Sequence, residues 1–228
     1  MNVRNALLDA ERILIRPARR LPSKATKGSN PMPTASHREV IQLKVTLAEI
    51  APPIWRRLLV PVDYTLTRLH QVIQIAFGWE DYHLHSYHIH GEDYAPPDRE
   101  NAPGTNSEKV ALSKLGFRLK TKIKYRYDFG DCWDHLILVE GHLLLEEPAN
   151  APVCLRGQRA CPPEDCGGTP GYQEMQDALQ DPDDPRCEEF KQWLGMETWD
   201  AESFDLGQVN GSLAKAFAPR QVKRAVLK

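Results

Sequence analysis

Two carboxylates and an imidazole fall close together in the stretch KYRYDFGDCWDHLILVE, Lys124 to Glu140: Asp128, Asp131 and His135. Such a set can hold a divalent ion and activate a bound water for hydrolysis. A second reactive stretch, CLRGQRACPPEDCGGTPGY from Cys154 to Tyr172, offers Arg159, Cys161, Glu164 and Asp165. Cys161 beside His135 would make a thiol–imidazole nucleophile. Cys154, Cys161 and Cys166, with His135 or Cys132 as a fourth ligand, would make a zinc site, although no C-x-x-C pair supports it. Arg156 and Arg159 are expected to pair with Glu164 and Asp165 and so stiffen the loop. A third stretch, HLHSYHIHG, places His83 and His85 on one face of a strand, where two imidazoles can reach one metal. The competing expectation for it is a solvated strand edge. Any cofactor implied is thus a divalent metal.

The elements that must position these groups follow from periodicity. Residues 123–128 and 133–139 alternate with a period of two on either side of Phe129-Gly130-Asp131, which predicts a β-hairpin turning at Gly130, the residue able to take a positive φ. REVIQLKVTL and IWRRLLVP predict two further strands, separated by Ala51-Pro52-Pro53. Thr65 as N-cap, an apolar stripe from Leu66 to Phe77 and a stop at Gly78 predict the clearest helix, with His70 and Gln74 turned outward. Residues 92–107 and 154–172 predict loops. Three short helices follow, the last opened by Asp205 and Gln208 as a capping pair and carrying Val209, Leu213 and Phe217. The acids between 174 and 205 are expected on their solvated faces.

Composition bounds the rest. A 41% hydrophobic chain of 228 residues can bury a sizeable core. No apolar run is long enough for a membrane helix, and five irregularly spaced cysteines suggest no disulfide framework, so a reducing cytoplasm is the expected compartment. The net charge of −2 is unevenly spread. Residues 1–36 carry seven basic and two acidic residues, and 211–228 carry five basic and none acidic. That leaves 37–210 with 17 basic (29 less 12) and 29 acidic (31 less 2) residues, a net of −12. The basic tails could meet a protein or nucleic-acid partner, whereas the acidic middle argues against a domain wrapped by DNA. Residues 1–36 read as a flexible tail that begins with a short amphipathic segment (Ala6, Leu7, Ile13, Leu14) and runs on through Arg16-Pro17, Leu21-Pro22 and Gly28 to Pro31. Met32 offers a second start, and 214–228 reads as a basic C-terminal tail.

The ordered run IWRRLLVP, FGWEDYHLH, YRYDFGDCWDH, RACPPEDCGG-x-x-GY and WLG…FDLGQVN resembles the plasmid ORF-three-like family of the Ri plasmid, whose relatives include transposon accessory proteins. The resemblance spans about residues 38–213 and implies a single α+β domain at 37–213, built on a mainly antiparallel sheet with several helices. It implies no established activity. Cys132 stands where relatives often carry glycine, and Cys166 where they often carry an aliphatic residue. No activated serine sits among arginines as a recombinase requires, and Asp128-Phe129-Gly130 lacks the other kinase motifs. The sequence therefore points first to a non-catalytic binding or accessory domain of a mobile element. The alternative is a metal-dependent hydrolase built on Asp128, Asp131 and His135.

Overall fold

Alternation of apolar and polar residues decides which side of each strand is buried, and the strands assemble into one mixed but mostly antiparallel sheet. The computed structural model describes residues 16–17, 37–97, 104–146 and 152–218. Its strands are β1 (Arg16–Pro17), β2 (His37–Leu47), β3 (Trp55–Pro61), β4 (His85–Ile89), β5 (Glu92–Ala95), β6 (Thr105–Asn106), β7 (Lys122–Tyr127), β8 (Trp133–Glu146) and β9 (Val153–Gln158). They run in the order β6-β5-β4-β7-β8-β2-β3-β9, with β1 pairing β8 off that path. Among the described residues only β5 and β6 pair in parallel. The helices are α1 (Leu66–Phe77), α2 (Gly168–Gln180), α3 (Cys187–Leu194) and α4 (Leu206–Ala216). The fold is α+β.

One face of the sheet carries the core. Ile41, Leu43 and Val45 of β2, Leu58 and Val60 of β3, Tyr125 and Tyr127 of β7, and Trp133, Ile137 and Val139 of β8 merge with Leu66, Leu69, Val72, Ile73 and Phe77 of α1 into one cluster. Burying each such side chain stabilises the fold by roughly 1.5–3 kcal/mol. Tyr172 and Met175 of α2, and Leu213 of α4, enter the same cluster. A small second cluster on the opposite face, Val40, Leu59 and Leu145 with Leu143 and Leu155, receives no helical residue.

α1 is bounded as its sequence requires. The Thr65 side chain accepts from the Arg68 N–H at 3.3 Å, and Gly78, at φ +90°, donates back to the Gln74 carbonyl at 2.8 Å. Asp205 caps α4 by accepting from the Gln208 N–H at 2.9 Å. The expected C-terminal boundary at Leu213 falls inside α4, and Phe217 beyond it is buried, stacked on Tyr64 at 5.5 Å. Three loop expectations are corrected. Residues 92–107 contain β5 and β6, Cys154 lies within β9, and α2 begins at Gly168. The short N-terminal amphipathic segment and most of both expected tails lie outside the described residues; Arg16–Pro17 pair with Leu144 and Leu143.

Candidate functional site

The tip of the β7–β8 hairpin is tighter than glycine chemistry alone would make it. The left-handed positions are Asp128 (φ +56°) and Cys132 (φ +58°), with Gly130 outside that region, which corrects the expected turn. Asp and Asn tolerate such φ values better than most residues because a short polar side chain bonds locally. Asp128 does so, its Oδ1 accepting from the Gly130 N–H at 2.8 Å. Cys132 also bonds locally, its Sγ–H donating to the Phe129 carbonyl at 3.3 Å.

The loop after β9 closes onto that tip. Gly168, at φ +67°, lies so near the hairpin that a Cβ there would stand 2.5 Å from the Asp131 carbonyl oxygen. The Gly167 N–H donates to Asp131 Oδ2 at 3.1 Å. Glu164 Oε1 accepts from the Tyr127 hydroxyl at 2.9 Å and from the Glu80 N–H at 2.8 Å, and Trp79 Nε1 donates to the Pro162 carbonyl at 3.0 Å. Tyr82 adds a hydrogen bond to Glu80. Three segments, 79–83, 127–131 and 162–168, thus meet at one polar corner.

At its centre His83 Nε2 stands 3.1 Å from Asp165 Oδ1 and 3.7 Å from Asp128 Oδ2. These three side chains offer donor atoms that all lie within 4.8 Å of one another, a separation compatible with one ion. Asp131 and Glu164 brace the corner from outside that set.

Other expected site residues lie elsewhere. His135 is buried in the core, its Nδ1–H donating to the Trp133 carbonyl at 2.9 Å and its ring edge-on to Phe77 and Trp79. Burial lowers its pKa to about 4. Arg159 ignores Glu164 and Asp165; its Nε bonds Glu202 at 2.7 Å and another guanidinium nitrogen the Pro52 carbonyl at 2.6 Å. Burial pushes the Cys161 thiol well up and the Cys154 thiol to about 11, so neither is a ready nucleophile. Neither cysteine joins a set of three metal-binding groups among the described residues.

His85, expected on a solvated edge or beside His83 at a metal, is buried in an interior strand between β5 and β7. Its ring stacks on His70 at 3.5 Å and 9°. His70 and Gln74, expected outward, are also buried. His70 Nδ1 meets the Tyr125 hydroxyl at 2.8 Å and Nε2 meets Asp81 Oδ1 at 2.6 Å. Gln74 donates to Tyr125 at 3.1 Å and accepts from the Asp81 N–H at 3.2 Å, closing a ring of hydrogen bonds. Every group in it is satisfied if Tyr125 donates to Nδ1 and Nε2–H donates to Asp81. His70, Asp81 and one His85 nitrogen also lie within 4.8 Å. Two nearly parallel rings aim their in-plane lone pairs side by side rather than at one point, so this set reads as a stack.

Sequence reasoning missed two further features. Arg56, 3% exposed, has no carboxylate partner among the described residues; it donates to the carbonyls of Ala76, Gln158 and Arg159 at 2.8 Å and of Trp55 at 2.9 Å, and lies over Phe77 and Phe204. The second is the outer sheet face. Registered partners share a face, and Arg156 pairs with Arg57, Arg57 with Lys44, Lys44 with Leu138 and Leu138 with Lys122. The next rung pairs Leu136 with Lys124, and the next Asp134 with Arg126. Arg126 bonds Asp134 through two nitrogens at 2.7 Å, and Arg57 bonds Glu140 at 2.6 and 3.0 Å. Among the described residues Lys44, Lys122, Lys124 and Arg156 make no ion pair. The outward positions of the alternating strands were the available signal.

The fold and corner define a class: an α+β domain in which an antiparallel sheet is closed at one end by a hairpin tip and a glycine-bearing loop. Residues 39–208 match the family described as plasmid pRiA4b ORF-3-like protein, and the chain belongs to it. A curated relative, the uncharacterized protein y4hQ of Sinorhizobium fredii, is 37% identical over 173 residues, covering 75% of this chain and 89% of its own. The crystal structure of the protein of unknown function MM3350 from Methanosarcina mazei Go1 superposes with a TM-score of 0.68 at 37% identity, covering 74% of this chain and 96% of that one.

Proposed function

We propose that the protein is a non-catalytic binding domain that receives a single-stranded nucleic acid on the open face of its sheet, in an accessory role within a mobile element. The observation that carries this reading is the outer face itself. Lys44, Arg57, Lys122, Lys124, Arg126 and Arg156 stand there against Asp134, Glu140 and, across His88, Asp93, a local excess of +3 inside a region whose net charge is −12. The rung from β9 to β7 crosses four inter-strand gaps, about 19 Å at roughly 4.8 Å each, long enough for several phosphates. Half-buried Trp55 lies on the same face, with Lys44 Nζ 4.9 Å and the Arg57 guanidinium 5.3 Å from its ring. Aromatic and cationic groups interleaved on a sheet suit a single strand, whose bases and phosphates are both accessible.

The corner supports the non-catalytic half of the reading. Of the trio a hydrolase would use, Asp131 holds Gly167 and His135 is sealed in the core, leaving Asp128 alone at the ion-sized gap. The cavity of about 370 Å³ at Gln74, Trp79, Asp81 and Phe217 is lined by none of the three. Fluorescence anisotropy with a labelled 20-mer, as single-stranded DNA, single-stranded RNA and duplex, tests the proposal. The expected outcome is salt-dependent binding of a single strand, and Lys122→Glu with Lys124→Glu flattens the log K against log salt slope by about 1.4, at roughly 0.7 per lost phosphate contact. No retention of either single strand at 50 mM salt overturns it.

A further inference from the structure

The geometry points to a divalent transition-metal site, taking Zn²⁺ or Mn²⁺, at His83, Asp128 and Asp165, where the ion ties the hairpin tip to the loop after β9. This inference stands apart from nucleic-acid binding. One imidazole and two carboxylates form a mixed nitrogen–oxygen set suited to either ion, and a water can complete the coordination. Ligands at about 2.1 Å from an ion lie about 3–4 Å from one another, the range spanned by the 3.1 and 3.7 Å separations here.

One buried polar atom, His83 Nε2, and the Asp128 carboxylate oxygen that faces it call for something between them. His83 Nε2 is shielded from solvent and makes no hydrogen bond, although Asp165 Oδ1 is close enough for an ion pair. The Asp128 side chain is 8% exposed; Oδ1 is occupied by the Gly130 N–H, while Oδ2 receives no hydrogen bond and faces His83. Glu164 Oε2, on the neighbouring side of the corner, is likewise buried without a partner. A cation satisfies the histidine nitrogen and the free carboxylate oxygen at once, which a proton on His83 cannot do at 3.7 Å.

The local backbone is shaped to bring these groups in. Asp128 and Asp165 both take φ +56°, in the left-handed region. The three ligands come from three segments, and no regular helix or strand fixes their mutual distance. An ion there adds a cross-link between residues far apart in sequence.

The test uses the full chain, stripped with chelator and dialysed, then titrated with Zn²⁺, Mn²⁺ and Mg²⁺ and followed by elemental analysis and thermal unfolding. The expected result is one equivalent of Zn²⁺ or Mn²⁺ retained and a Tm rise of about 5–10 °C at a hundredfold excess over Kd. Mg²⁺, which prefers an all-oxygen octahedral shell, leaves Tm unchanged at the same concentration. His83→Gln and Asp165→Asn, both near the surface and conservative in shape, each abolish stoichiometric metal while keeping the circular dichroism spectrum of the parent. The same ion slows proteolysis within 160–168 in the parent and leaves the variants unaffected. Retention of metal by both variants, or no retention and no Tm shift with any ion in the parent, overturns the site.

Discussion

Arg56 shows how one buried side chain can organise several segments. Its guanidinium reaches carbonyls at the end of α1, in β3 and beyond β9, with aromatic rings on both sides. Desolvation lowers its pKa, yet a planar fork with five donors remains well matched to four carbonyls. Lysine keeps the charge and loses the fork. Arg56→Lys should therefore destabilise the protein by about 2–4 kcal/mol, read as a fall in the urea midpoint with the slope unchanged. The buried histidines give a pH signature of definite sign. Burial depresses the pKa of His85 to about 3, with His70 adding to the effect, and that of His135 to about 4. Both stay neutral in the folded state while the unfolded chain takes up protons near pH 6.5, so stability is intact above pH 7 and falls as pH drops from 6.5 toward 4. Each contributes about 1.4 kcal/mol per pH unit below 6.5, so urea unfolding at pH 5.0 should give a free energy lower by about 4 kcal/mol than at pH 7.5. An equal or higher stability at pH 5.0 would contradict the burial of these rings.

At the scale of elements, the corner depends on glycines that permit close approach. Gly171, in the first turn of α2, passes so near the Cys166 carbonyl that an added Cβ would lie 1.9 Å from its oxygen, a backbone clash no rotamer relieves. Gly171→Ala should cost on the order of 3 kcal/mol and displace the loop from the hairpin tip, whereas Gly211→Ala, open around its Cβ, should not. Thermal unfolding of the pair checks this. These elements also show what the sequence made legible. α1 was readable from Thr65 to Gly78 because cap, stripe and stop are local, and β2, β3, β7 and β8 were readable from alternation. The turn is not legible because the left-handed residues are Asp128 and Cys132, which carry no glycine signal. The polarity of His70 and Gln74 points to solvent, whereas their burial depends on Tyr125 and Asp81, from a distant strand and from the loop after α1.

Across the whole molecule, strand order creates properties that no segment displays. The net charge of 37–210 hid the basic face, since Lys44, Arg57, Lys122 and Arg156 become neighbours only once β9, β3, β2, β8 and β7 lie side by side. The acids that outnumber them fall mostly elsewhere. Likewise His83, Asp128 and Asp165 are scattered along the chain, and their meeting was legible only as two halves of a corner. The chain places Arg159, Cys161 and His135 near Glu164 and Asp128 in sequence, but the fold turns them into other surroundings.

The sheet order also dictates a timetable of assembly. β2 sits in the middle of the sheet between β3 and β8, and its register with β8 joins Val45 to Ile137 and Leu43 to Val139. A ribosome has therefore released the β2–β3 hairpin and α1 long before the strand that shields them exists. Until β8 emerges, one hydrogen-bonding edge of β2 stays open, and closing that loop carries the entropic cost of a distant contact. The β7–β8 hairpin is local and can form as soon as it is made, so it is the natural template onto which the waiting N-terminal half docks. A chain interrupted before Trp133 would hold half a core and an uncovered strand edge, the combination most prone to association with other chains.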